Sequence, residues 1–227
     1  MRALGVIAVC LAAVIGGAVA WCQINYPTYT YRYRLTLALE VDGKLHTGSS
    51  VIEISWVGQP YIPGAGSFVP RVRGQAAFID FGSRGVVVAA LVTGETSQDV
   101  PDGSKSAVWI AARAFGNEST QAELAELPRL TGRRQLMPDN MPRLIWFPDA
   151  ADPKTARRFA PQNLRELFDP SGRLDAYIEI TRDPIIIDID KKLPWFNMLS
   201  GASPNFGVIY LPSGFALSRE MFIGDSS

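Results

Sequence analysis

The chain has 227 residues, 47% of them hydrophobic, and its 22 basic and 22 acidic side chains sum to a formal net charge of zero. That apolar content excludes a disordered chain and suits one globular body with ample core. Zero net charge excludes a general nucleic-acid binder, which needs surplus Lys and Arg to neutralise phosphates.

The N-terminal stretch from Ala3 to Ile24 carries Gln23 as its one polar side chain, and no charge falls between Arg2 and Arg32. As a helix it would be roughly 33 Å long, against a hydrocarbon core of about 30 Å. Two readings compete. A cleaved signal peptide would use Gly16-Gly17 and Ala18-Val19-Ala20 as its small-residue cleavage site. An uncleaved anchor would use Trp21, Tyr26, Tyr29 and Tyr31 as an interfacial aromatic belt, with Pro27 ending the helix, and this cluster favours the anchor. Trp21 before Cys22 is too bulky for a lipoprotein site. Arg2 and the α-amine favour an inside N-terminus and hence an extracytoplasmic body, although Arg32 and Arg34 pull weakly the other way. The expected organisation is residues 1–24 as signal anchor or signal peptide and residues 25–227 as one β-rich domain.

Thr28 to Val57 reads as a β-hairpin. Tyr29, Tyr31, Tyr33, Leu35, Leu37, Leu39 and Val41 alternate with Thr30, Arg32, Arg34, Thr36, Ala38 and Glu40, the period of a strand with one buried face. Asp42-Gly43 supplies a two-residue turn, which makes cross-strand partners sum to 85. That register sets Tyr33 against Ile52, Tyr31 against Ile54 and Tyr29 against Trp56 on one face, and Arg32 against Glu53 on the other; a one-residue slip destroys both matches.

From Val57 to Pro70 three prolines and three glycines predict a long loop, with Tyr61 and Phe68 as its candidate contacts. A second hairpin is expected from Val72 to Phe81 and Val86 to Thr93, its second strand apolar on both sides and hence central. Gly94 to Lys105 is turn-rich, and Ser106 to Phe115 fits a strand or a short helix. Asn117-Glu118-Ser119 matches a glycosylation acceptor by chance. Thr120 and Glu123 have capping-box spacing before a short helix that stops near Pro128. Pro142 to Pro148 reads as a buried strand, Pro161 opens a helix through Phe168, and Leu174 to Thr181 alternates as a half-buried strand. Ile185, Ile187 and Ile189 alternate with Ile186, Asp188 and Asp190, and Ser218 is positioned to cap a last helical turn.

With YRYRLT and TGSSVIEI (Thr47 to Ile54), DPKTARRF (Asp152 to Phe159), IEITRDP (Ile178 to Pro184) and KKLPWF (Lys191 to Phe196), most of the chain after Tyr29 resembles an uncharacterised family of proteobacterial proteins with an N-terminal hydrophobic segment. The resemblance implies a bacterial envelope protein and carries no assigned activity, so no functional residue transfers.

Catalytic sets are thin. His46 is the one histidine, and Ser49 and Ser50 are near it in sequence without a nucleophile elbow, so a structural histidine is the simpler reading. Cys10 and Cys22 both lie in the N-terminal segment, which leaves the body no thiolate and argues against zinc; no metal or cofactor is expected. Asp188 and Asp190 would share a strand face if extended, as would Asp149 and Asp152 on a turn, but solvated surface acids beside Lys191 and Lys192 are the simpler account. No Walker loop or dinucleotide fingerprint occurs.

Charge is uneven: Arg129 to Arg165 holds eight basic against three acidic residues, while Thr28 to Pro128 and Glu166 to Ser227 are acidic by two and four. Internal pairing is the simpler account. The sharper one makes Arg133, Arg134, Lys154, Arg157 and Arg158 a contact surface for anionic lipid or an acidic envelope protein. The sequence therefore predicts an α+β body, mainly antiparallel β with two or three short helices, behind a membrane-spanning or signal helix. The expected role is non-enzymatic binding or assembly at a cell membrane. The alternatives are a periplasmic hydrolase using the paired acids and an immunity-type protein that neutralises a toxin.

Overall fold

The computed structural model describes residues 2–60, 63, 66–93, 107–116, 120–168, 172–199 and 208–225. In chain order these form α1 (Arg2–Asn25), β1 (Thr28–Val41), β2 (Lys44–Gly58), β3 (Phe68–Gln75), β4 (Ala77–Asp80), β5 (Val86–Thr93), α2 (Val108–Ala114) and α3 (Gln121–Glu126). There follow β6 (Arg133–Gln135), β7 (Pro142–Phe147), β8 (Arg157–Phe159), α4 (Leu164–Leu167), β9 (Arg173–Thr181), α5 (Ile189–Lys192), β10 (Val208–Tyr210), β11 (Ala216–Ser218) and β12 (Ile223–Asp225). The body is mainly antiparallel β with short helices, as the patterning implies, and among the described residues it has four such helices against the two or three expected.

The first hairpin has the expected register along its whole length: Tyr33 faces Ile52, Tyr31 faces Ile54, Tyr29 faces Trp56 and Arg32 faces Glu53. Asp42 and Gly43 both take positive φ, 52° and 68°, the geometry that lets a two-residue loop follow the strand twist. The inner residues Tyr31, Tyr33, Leu35, Leu37, Leu39 and Val41 are buried, each contributing about 1.5–3 kcal/mol of transfer free energy. Burial pushes the Tyr31 and Tyr33 phenols well up from their ordinary value, and the Tyr33 hydroxyl donates to the Ala107 carbonyl at 3.0 Å.

This hairpin is the middle of a six-stranded sheet ordered β12-β3-β2-β1-β9-β6, and a second, four-stranded sheet runs β4-β5-β7-β8. The smaller sheet is buried on both faces. Ala77, Ile79, Val87, Ala89 and Leu91 pack against the larger sheet with α2 and α3. Phe78, Val86, Val88, Ala90, Ile145 and Phe147 meet a C-terminal layer of Trp195, Phe196, Leu217 and Phe222. That double burial explains why all eight residues of β5 are apolar or buried. The two sheets approach closely at Gly48, where an added Cβ would collide with the Phe78 carbonyl.

Several boundaries differ from the sequence reading. Phe68, Val69 and Pro70 are not loop: they pair with Gly58, Val57 and Trp56 as the start of β3. Pro70 is tolerated because β12 covers only Arg73 to Gln75, so its missing N–H faces no partner strand. The expected strand from Val72 to Phe81 is split, its first half in one sheet and its second half in the other, with the change at Ala76. Of the stretch from Ser106 to Phe115, Val108–Ala114 is helix, α2, and Ser106 lies outside the described residues. The Thr120–Glu123 capping box is present in both directions. Ser218 stands before a 3-10 turn as expected but makes no capping bond. Tyr61, Asn117 to Ser119 and Gly94 to Lys105 lie outside the described residues.

Among the described residues no helix is long and apolar enough to cross a membrane. α1 is helical over 24 residues.

Candidate functional site

Each strand of the larger sheet turns alternate residues outward, and on β1 and β2 most of those residues are charged or hydroxylated, with Ala38, Leu45 and Val51 among the exceptions. Across the centre runs a row contributed by four strands: Thr181 of β9, Arg32 of β1, Glu53 of β2 and Arg73 of β3 are successive partners in register. Glu53, only 8% exposed, accepts from Arg32 Nε at 2.7 Å and from Arg73 Nη1 at 3.1 Å. One acid thus bridges two guanidiniums and leaves one positive charge uncompensated. Arg34, one position along the same face, pairs with Glu179 at 3.1 Å and with Asp183.

Residues 182–188 cross this face as an extended strap without strand partners. The strap leaves β9 where Thr181 faces Arg32. The Asp183 carbonyl accepts from Arg32 Nη1 at 3.3 Å, and the Asp183 carboxylate accepts from the Thr181 hydroxyl at 2.8 Å. At its far end Asp188 is clasped by Gln75 of β3: its N–H donates to Gln75 Oε1 at 2.8 Å, and its carboxylate accepts from Gln75 Nε2 at 2.6 Å. The Gln75 bond, aided by the Lys192 ammonium 3.5 Å away, holds the Asp188 carboxyl below its ordinary value.

That arrangement corrects the reading of Asp188 and Asp190 as neighbours on one strand face. Ile189 opens a helical turn, so Asp188 precedes α5 as part of the clasp while Asp190 is exposed within it. Asp149 and Asp152 are likewise engaged locally, accepting from the Ala151 and Lys154 backbone N–H groups. His46 lies against Phe81 with ring centroids 4.7 Å apart, and Ser50 donates to the Gln75 carbonyl at 2.7 Å. No group of three or more potential metal ligands is gathered among the described residues.

The strap divides the outer face into two clefts. On one side Arg34, Ser49, Asp183, Ile186, Asp188 and Lys192 line about 410 Å³; its two cations and two acids are mutually paired. On the other side is a larger cleft of about 690 Å³, floored by Thr30, Arg32 and Glu53 and walled by residues 128–131 and 180–182. Here three guanidiniums, Arg32, Arg129 and Arg182, stand against one carboxylate already shared with Arg73. Arg129 also pairs with Glu126 at 3.4 Å, and the lining as a whole carries more positive than negative charge.

The residues named from sequence fall elsewhere. Arg133 and Arg134 lie on β6, the edge of the larger sheet, over the rings of Tyr177 and Phe115 at 3.7 and 5.3 Å. Arg157 and Arg158 lie on β8, the edge of the smaller sheet, over Trp146 and Phe215 at 5.7 and 5.6 Å. Lys154 is exposed and shares a hollow with Arg157. Phe68 packs on Tyr29 with centroids 5.8 Å apart. The basic segment is therefore divided between two sheet edges, and its guanidiniums cover rings there. The cleft at Arg32, Arg129 and Arg182 draws its cations from three separate regions of sequence, and a local charge count finds none of them as a group.

No family model, curated protein or solved structure matches the chain.

Proposed function

We propose that the protein is a membrane-anchored, extracytoplasmic binding or assembly module of a bacterial envelope, with α1 as the anchor and the outer face of the larger sheet as the contact surface. The observation that carries the reading is the junction of α1 and β1. α1 runs 24 residues as helix, roughly 36 Å, and no charged residue occurs between Arg2 and Arg32. Leu11, Val14, Ile15, Val19, Trp21 and Ile24 are all at least half exposed to surroundings that water suits poorly. At its end Trp21 and Tyr26 meet edge to face at 5.8 Å, and Tyr29 and Phe68 follow, the order of groups expected at a membrane interface. The cationic cleft begins at Thr30, five residues after Asn25, hence within about 18 Å of the helix end.

The binding reading is preferred to hydrolysis because three of the four acids offered for catalysis, Asp188, Asp149 and Asp152, are hydrogen-bonded in holding the strap and the turns, and Asp190 stands exposed on α5. The test is carbonate washing of membranes from cells making the full chain with a C-terminal tag, with intact mass read on the same sample. The expected result is retention in the pellet at the full chain mass. A soluble chain beginning near Trp21 would replace the anchored module with a released protein.

A further inference from the structure

We infer that the cleft of Arg32, Arg129 and Arg182 is a binding site for the phosphate diester of an anionic glycerophospholipid drawn from the membrane that α1 enters. The inference rests on the anchored reading for the source of its ligand. The geometry supplies three matched features. Arg32 is preorganised: its Nε is fixed by Glu53 and its Nη1 by the Asp183 carbonyl, so it meets a ligand without first losing side-chain freedom. Arg182 has no partner among the described residues and is exposed, and Arg129 makes one long surface pair with Glu126 at 3.4 Å. Both are free to turn toward a phosphate, where guanidinium–phosphate pairing is bidentate and charge-assisted.

The lining is also amphipathic. Pro128, Leu130 and Ile180 stand beside the cations, which suits a headgroup still attached to glycerol and acyl carbon better than a bare inorganic ion. Position adds the third feature, since Thr30 brings the cleft to the helix end of the body, five residues after Asn25 and close to the interfacial pair of Trp21 and Tyr26. Cations set just behind interfacial aromatics are attracted by an anionic lipid surface.

The experiment titrates full-length protein in a neutral detergent with dioctanoyl-phosphatidylglycerol, dioctanoyl-phosphatidylcholine and inorganic phosphate, and reads bound mass by native mass spectrometry. Phosphatidylglycerol is expected to bind one to one and about tenfold more tightly than phosphatidylcholine or phosphate. The double variant R129S/R182S, both exposed positions that leave the Glu53 pairs intact, is expected to lose about tenfold. R133S/R134S, outside the cleft, keeps wild-type affinity, and circular dichroism confirms that each variant is folded. Equal binding of the two lipids, phosphate binding as tight as phosphatidylglycerol, or full affinity in R129S/R182S would each overturn the site. Lipid presented in detergent reaches the cleft whether or not α1 spans a bilayer, so this result is independent of the carbonate wash.

Discussion

Asp188 ends the strap, and its ionisation is set by what it touches. The hydrogen bond from Gln75 and the charge of Lys192 stabilise the carboxylate, against a smaller opposing effect of burial. A carboxyl held lower in the folded chain than in the unfolded one stabilises the fold at every pH above its ordinary value, 3.8, and that contribution is lost as pH falls through the lower folded value. Asp188→Asn should therefore cost about 0.5–1 kcal/mol near neutral pH, and the difference from wild type should vanish in urea melts as pH is taken from about 5 toward 2. A gap that stays constant with pH would show that the clasp depends on shape and not on charge. Glu53 offers a contrast at the same scale. Its partnership with Arg32 is legible from the hairpin register alone, whereas Arg73 joins it from β3, which no local pattern reveals.

At the scale of elements, the β1–β2 hairpin was readable because three independent cues agreed: alternation, an Asp-Gly turn and complementary cross-strand pairs. Val72 to Phe81 reads as one strand in sequence although Gly74, at φ 131°, stands just before the change of sheet and is the one local mark of it. Apolar pattern marks burial and is silent on which sheet supplies the neighbour. The strap failed for a related reason. Alternation of Ile and Asp from Ile185 to Asp190 resembles a strand, yet here an extended segment lies across the sheet with Ile186 and Ile187 exposed and Ile189 turned into the C-terminal layer. The small run Gly48-Ser49-Ser50 did carry information about the approach of the second sheet. Gly48→Ala should cost about 2–3 kcal/mol, since the new methyl meets backbone that has no room to move. Gly43→Ala, in the open turn with φ of 68°, should cost only about 1 kcal/mol through its left-handed backbone. Chemical denaturation midpoints of the two variants check the order, and equal losses would mean that the sheets separate easily at Gly48.

For the whole molecule, charge is distributed by architecture more than by sequence block. The edge strands β6 and β8 are each three residues long and each carries two arginines, a pattern that blunts edge-to-edge pairing. Much of the basic excess between Arg129 and Arg165 is thereby explained without a ligand. What remains unbalanced gathers on the outer face of the larger sheet, close to the end of α1, and the account of function depends on that face lying outside the cytoplasm next to the bilayer. The direct measurement is protease accessibility of the C-terminally tagged full chain in intact spheroplasts. The account predicts that protease added from outside digests the body, leaving a membrane-protected N-terminal fragment. Protection of the body until the spheroplasts are lysed would contradict it.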